Sequence, residues 1–144
     1  MPLIKPSEDV ESLGRNKLIQ DITFSNEGAG AVSVFTVTGD VLIRIIPVVT
    51  TTLTSAAAAN IKLGAIGSTD AMIVDSLATN LVARGIWIDQ TPDNEIEAVD
   101  RIRSYINVDG NDIILTLDAQ IDTGVIRFYC FWSPLSSDGS VVNA

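Results

Sequence analysis

The chain has no histidine in its 144 residues, a single cysteine, nine lysines and arginines against eighteen acidic residues, and only 6% aromatics. Each shortage removes a class of function. Without imidazole there is no Ser-His-Asp or Cys-His nucleophile system and no zinc site that draws on histidine, and one thiol builds no thiolate cage. Cys130 cannot close an internal disulfide, and within "RFYCFW" it reads as a small core residue with nothing to activate it. The few cations are scattered and the net charge is −9, so nucleic acid, whose binding rests on neutralised phosphates, is set aside as a partner. There is no Walker-type loop and no G-x-G-x-x-G run; "GAG" at Gly28 to Gly30 is too short to cradle a phosphate. No stretch approaches the ~18 apolar residues of a membrane span, and the longest apolar run, "VLIRIIPVV", is interrupted by Arg44 and Pro47. The opening "MPLIKPSEDVES" carries no apolar core of signal-peptide length, which predicts a soluble chain with no export signal of its own and no membrane partner.

Carboxylates are the remaining catalytic currency. A glycosidase needs two of them across a sugar cleft, and Asp70, Asp75, Asp89, Asp118 and Asp122 are the candidates, but such clefts draw on aromatic platforms that this chain has little material to build. Trp87 and Trp132 read as core or interface anchors. "DGND" (Asp109 to Asp112) and "DQTPDNE" (Asp89 to Glu95) gather oxygen atoms on loops, as calcium requires, yet neither has helix-loop-helix calcium spacing and both read as turns. The expectation is a protein that is not an enzyme, with no cofactor and no metal. Its acidity suits a basic partner surface or simple solubility.

What is present is strand-forming sequence, 47% of it hydrophobic. Residues 1–16, with two prolines, a glycine and mixed charges, read as an N-terminal arm, either a disordered leader or a segment that orders on a neighbour. Residues 17–135 form the predicted domain, and 136–144 a C-terminal tail. "AVSVFTVTGDVLIRIIPVVT" is rich in β-branched residues and turns or bulges at Thr38-Gly39-Asp40. From Val41 to Val49 both alternating sets are apolar, as in a strand covered on both faces, and Pro47 demands a local sheet edge or a bulge. "RIRSYINV" and "NDIILTLDA" alternate around Asp109-Gly110, a pair suited to a turn with positive φ at both positions; with "VIRFYCFW" they predict a three-stranded meander. "DAMIVDSLATNLVARG" is a helix candidate set against strands and loops, while Ala56 to Ala59, capped by Ser55, make one turn. The fold class that follows is mainly β, an antiparallel β-sandwich or jelly-roll-like domain with an extended N-terminal arm.

The segment "TTTLTSAAAAN" (Thr50 to Asn60) is uncharged and small, fit for close packing against another backbone or for an ordinary strand end running into a loop. On the first reading, Val41, Ile43, Ile45, Pro47, Val49, Thr51 and Leu53 are candidate oligomer or partner interface residues. The succession "VTGDVLIRIIPVVTTTL", "IKLGAIGSTDAMI", "GIWIDQTP" and "GNDIILTLDAQIDTGVIRFYCFWSPLS" resembles small virion structural proteins of tailed bacteriophages, often capsid decoration or cement proteins. The resemblance covers roughly residues 30–135 and is one of segment order rather than of a diagnostic motif. It implies a β-rich accessory protein on the outer shell, a homo-oligomer with a trimer favoured, whose partner is the major capsid protein and which assembles into the virion in the host cytoplasm. A phage tail or fibre component that binds a host receptor or carbohydrate is the alternative; such a protein would expose loop aromatics such as Trp87.

Overall fold

The computed structural model describes residues 16–144. Eleven strands account for its regular structure: β1 Asn16–Glu27, β2 Gly30–Thr38, β3 Val41–Thr54, β4 Asn60–Ala65, β5 Ser68–Leu77, β6 Gly85–Ile86, β7 Asp93–Asn94, β8 Ser104–Asn107, β9 Ile113–Leu117, β10 Ile121–Pro134 and β11 Ser140–Asn143. Single 3-10 turns occupy Ala78–Asn80 and Val99–Arg101. No helix among the described residues is long and apolar enough to cross a membrane.

Two sheets face each other, and every pairing in them is antiparallel. The first runs β1-β10-β3, with β8 and β6 lying one after the other along the far side of β3 and β7 beyond β6; the second runs β11-β2-β9-β4-β5. Taken by the eight longer-range strands, the order β1-β10-β3-β8 against β2-β9-β4-β5 is that of a jelly roll. The mainly β, antiparallel sandwich expected from the alternating runs is therefore what forms. Its core is filled from both inner faces, with Phe35, Phe128, Trp87, Ile43 and Leu115 among the fully buried side chains. Cys130 lies in this core, and burial pushes its thiol pKa up to about 12, so it is packing rather than chemistry.

The three-stranded meander is not formed. β8 pairs with β3 in the first sheet, β9 lies between β2 and β4 in the second, and β10 returns to the first. The turn chemistry holds nonetheless: Asp109 and Gly110 both have positive φ, 61° and 64°. That turn carries the chain across the core instead of folding it back in one sheet. It meets the β2–β3 crossing, where the Gly110 N–H donates to the Gly39 carbonyl at 2.9 Å and the Asp109 N–H to Asp40 Oδ1 at 3.0 Å. A side chain at Gly110 would stand 2.9 Å from the Val37 carbonyl oxygen, so glycine is required by space as well as by φ.

Three further segments differ from expectation or resolve an alternative. The helix candidate is β5 followed by the 3-10 turn; β5 pairs with β4 through two register shifts, and it is this interrupted ladder that loosens the alternation in its sequence. Residues 136–144, expected as a tail, include β11, which joins the edge of β2. Pro47 lies in a strand paired on both sides, but its carbonyl accepts from the Trp87 N–H at 3.0 Å, so its missing N–H faces the gap between β8 and β6 and interrupts no ladder with β10. The expected arm falls, apart from Asn16, outside the described residues.

Candidate interaction surfaces

Of the carboxylates weighed for catalysis, Asp89, Asp118 and Asp122 are spent on structure, while Asp70 and Asp75 are exposed on β5. Asp118 accepts from the Asn60 N–H at 2.7 Å and its side-chain amide at 3.0 Å, tying the end of β9 to the start of β4; those bonds hold its pKa below the usual carboxylate range. Asp122 accepts from the Gln120 amide at 2.7 Å and the Ala56 N–H at 2.9 Å, which lowers its pKa likewise. A general acid needs the opposite shift.

The two oxygen-rich loops are also committed. In the segment from Asp89 to Arg101, the Arg101 guanidinium reaches Asp89 at 2.8 Å, Asp93 at 2.9 Å and Glu97 at 3.0 Å, and this ring of carboxylates, Glu97 foremost, raises the arginine's pKa. A side-chain cation thus occupies the centre where calcium would have to sit. In the other loop, Asp112 Oδ1 accepts from the Val37 N–H at 2.9 Å. Among the described residues no group of three or more acidic, cysteine or histidine side chains is placed to hold a metal ion.

A groove runs between β5 and β8. Its larger part, about 530 Å³, has Ile45, Pro47, Ile73 and Trp87 in its wall and Asp70, Asp100 and Arg103 at its rim. The Tyr105 hydroxyl donates to the Met72 carbonyl at 3.3 Å and divides it from a second hollow of about 410 Å³. Burial raises the Tyr105 pKa, so the phenol stays protonated and available as that donor. Trp87 is fully buried, and its indole N–H donates to Ser76 Oγ at 2.9 Å. It offers no exposed stacking ring.

The candidate interface residues on β3 divide by face. Val41, Ile43, Ile45, Pro47, Val49 and Leu53 point into the chain's own core, and Thr51 alone of the seven is exposed. Within the single chain they are core residues, and the residues this strand turns outward are the alternate set: Leu42, Arg44, Ile46 and Val48, each half-buried. The "TTTLTSAAAAN" segment is the end of β3 and the crossing to β4, with Leu53 and Ala59 buried. Thr54 and Thr123 hydroxyls meet at 2.6 Å, and Ser55 Oγ accepts from the Ala59 N–H at 3.0 Å, the expected cap of a single turn.

The outer face of the first sheet was missed because both sets on β3 are apolar and nothing in its alternation marks the outside. Cross-strand register builds that face in rows. Ile19, Tyr129 and Ile46 stand side by side, then Asp21, Arg127 and Val48; on the other side come Lys17, Phe131, Arg44 and Ser104, then Ser133, Leu42 and Ile106. Ile19 is 45% exposed and Ile106 70%, with Tyr129, Phe131, Leu42 and Ile46 half-buried between them. Arg127 grips Asp21 with two bonds of 2.8 and 3.1 Å, which lowers the Asp21 pKa. Among the described residues no strand or loop covers this apolar strip.

No family model matches the chain, and no curated protein matches it. Among solved structures it is similar to a chain in the acidic stable capsid structure of Helicobacter pylori bacteriophage KHP30, at 10% identity and a TM-score of 0.45, over 89% of this chain and 94% of that one. The likeness is a distant structural one.

Proposed function

We propose that this chain is a non-enzymatic virion structural protein, a capsid decoration or cement protein that binds the outer shell as a homo-oligomer and stabilises it by cross-bridging major capsid subunits. The observation that carries the reading is the outer face of the first sheet. It places Ile19, Ile46, Tyr129, Phe131 and Ile106 at the surface of a domain whose core is already closed, and large apolar residues in such a continuous patch mark a protein contact. The committed carboxylates and the buried, desolvated thiol point the same way, toward binding rather than reaction. The tail or fibre alternative called for exposed loop aromatics, and Trp87 is buried.

Cross-bridging follows from linkage. A subunit bound across two shell subunits must be released before they separate, so occupancy at 100 times Kd adds about 2.7 kcal/mol to the closed shell. The test is co-sedimentation of the purified protein with empty, expanded shells of the parent phage, together with the temperature at which those shells open. Saturable binding with a raised opening temperature is the expected result. Failure to bind shells, with binding to host cells instead, would overturn the decoration reading in favour of a tail or fibre role.

A further inference from the structure

We infer that copies of this chain associate head to tail, the outer face of the first sheet in one copy receiving the acidic segment Asp93–Arg101 of the next. The inference deepens the homo-oligomer part of the proposed function and rests on that reading for its setting, not for its geometry. Two surfaces carry it, and each has what the other lacks.

The sheet face is apolar and locally basic. Around Ile19, Ile46, Tyr129 and Phe131 stand Lys17, Arg44 and Arg127 against one carboxylate, Asp21, in a chain whose net charge is −9. The segment is apolar and acidic. Ile96 is 83% exposed and Val99 58%, with Asp93, Glu95 and Asp100 beside them in sequence at the surface. Arg84 reaches Glu95 at 3.6 Å and Arg101 holds Asp93 and the Glu97 side chain, itself 6% exposed, so acid still exceeds base there. An exposed isoleucine flanked by carboxylates is a poor fit to this protein's own acidic surface and a good fit to an apolar strip edged with lysine and arginine.

The segment is also held in one shape before any partner arrives. Arg101 ties Asp93 and Glu97 together, the Glu95 N–H donates to the Arg84 carbonyl at 2.9 Å, and Glu95 is held at φ 72° in the left-handed region. A non-glycine residue in that region costs about 1–3 kcal/mol, and such strain persists where surrounding bonds impose it. The two apolar tips are thus presented without the ordering cost that a free loop pays on binding.

The topology decides how copies follow one another. The acidic segment begins at β7, at the edge of the first sheet beyond β3, while the basic strip is the face of that same sheet. Face and edge are adjoining sides of the molecule rather than opposite ones. Successive head-to-tail copies therefore turn instead of stacking straight, and a turning heterologous contact gives a ring where the rotation closes and a helical filament where it does not, which the assembled mass distinguishes.

A mixing experiment separates this arrangement from the others. One variant carries Ile19→Glu with Arg44→Glu on the face; the other carries Ile96→Lys with Val99→Lys on the segment. These positions are exposed or half-buried, and urea midpoints and near-ultraviolet circular dichroism check that both variants fold; Lys17→Glu replaces the face pair if it does not. Wild-type protein is expected to show a multiple of the chain mass by light scattering, falling as salt is added. Each variant alone should be a monomer, its self-association weakened at least about tenfold. An equimolar mixture should give a one-to-one dimer and nothing larger, because one intact face and one intact segment remain. Three outcomes overturn the inference: a wild-type monomer at all concentrations, a segment variant that still assembles, as a face-to-face dimer would, or a mixture that stays monomeric. Shell binding by such a monomer would leave the decoration role standing and remove its homo-oligomer part together with the head-to-tail contact.

Discussion

The two sheets bury inner faces of one kind and turn outward faces of two kinds. On the second sheet, β2 shows Ala31, Ser33, Thr36 and Thr38 to solvent, and Ala31 stands in register with Thr116 and Lys62. On the first, the corresponding positions are Ile19, Tyr129 and Ile46. The second sheet does expose Val74 and Leu77 on β5 and Val142 on β11, but these lie on its two edge strands, and its middle strands carry small and polar residues where the first sheet has Tyr129 and Ile46. Large apolar residues that the described residues leave open on the first sheet forgo favourable burial, which a contact on that face would restore.

The sharpest way to break that comparison is a pair of neighbours on β10. Phe128 is fully buried in the core and Tyr129 is half-buried on the outer face. Phe128→Ala is expected to cost about 3–5 kcal/mol in urea unfolding. Tyr129→Ser should cost the isolated domain no more than about 1 kcal/mol and should instead weaken assembly in light scattering. Equal losses of stability would mean that the outer face serves the fold and not a partner.

A smaller effect tests the inside of the comparison. Ser76→Ala leaves the buried Trp87 indole N–H without its acceptor, and the expected loss is about 1–3 kcal/mol, with no change in assembly. Trp87 also shows how far the sequence was legible. Its burial agrees with its reading as an anchor, and the alternation of β8 and β9 with the β-branched run of β3 was enough for the class of fold. What alternation does not carry is the choice of neighbour. Asp109-Gly110 has the backbone of a hairpin turn, yet β8 and β9 lie in different sheets, because the partners of β9, β2 and β4, come from elsewhere in the chain. Likewise β11, only four residues long, becomes a strand because β2 offers it an edge. The expected interface set on β3 fell on the inner face for a related reason: with both sets apolar, the core side is decided by register with β10, which no local pattern records.

Acid and salt distinguish the sheets by a milder effect. Asp21 on the first sheet is held by a cation, Arg127; Asp118 on the second is held mainly by the neutral N–H groups of Asn60. Both have folded pKa values below their unfolded value of about 3.9. Each therefore contributes stability that is present above that value and is lost as pH falls through the folded pKa. Asp21→Asn and Asp118→Asn should each lower the urea midpoint at pH 7, and the gap to wild type should close as pH falls from about 4 towards 2. Raising salt at pH 7 should shrink the Asp21→Asn gap, where a charge pair is screened, and leave most of the Asp118→Asn gap in place. A salt response of equal size in both would remove the electrostatic distinction between the faces.

The smallest expected change concerns Thr116, at the centre of the outer face of the second sheet. Its hydroxyl is buried between Ala31 and Lys62 and has no hydrogen-bond partner among the described residues. Desolvating a hydroxyl without a partner costs free energy that a methyl group does not, so Thr116→Val should leave the urea midpoint unchanged or raise stability by up to about 1 kcal/mol, with an unaltered denaturant slope. A loss of more than about 1 kcal/mol would mean that the hydroxyl is bonded in solution, by water or by another chain seated on that face. In the second case the middle of the second sheet would itself be a contact, and the difference between the two outer faces would not separate a covered side from an open one.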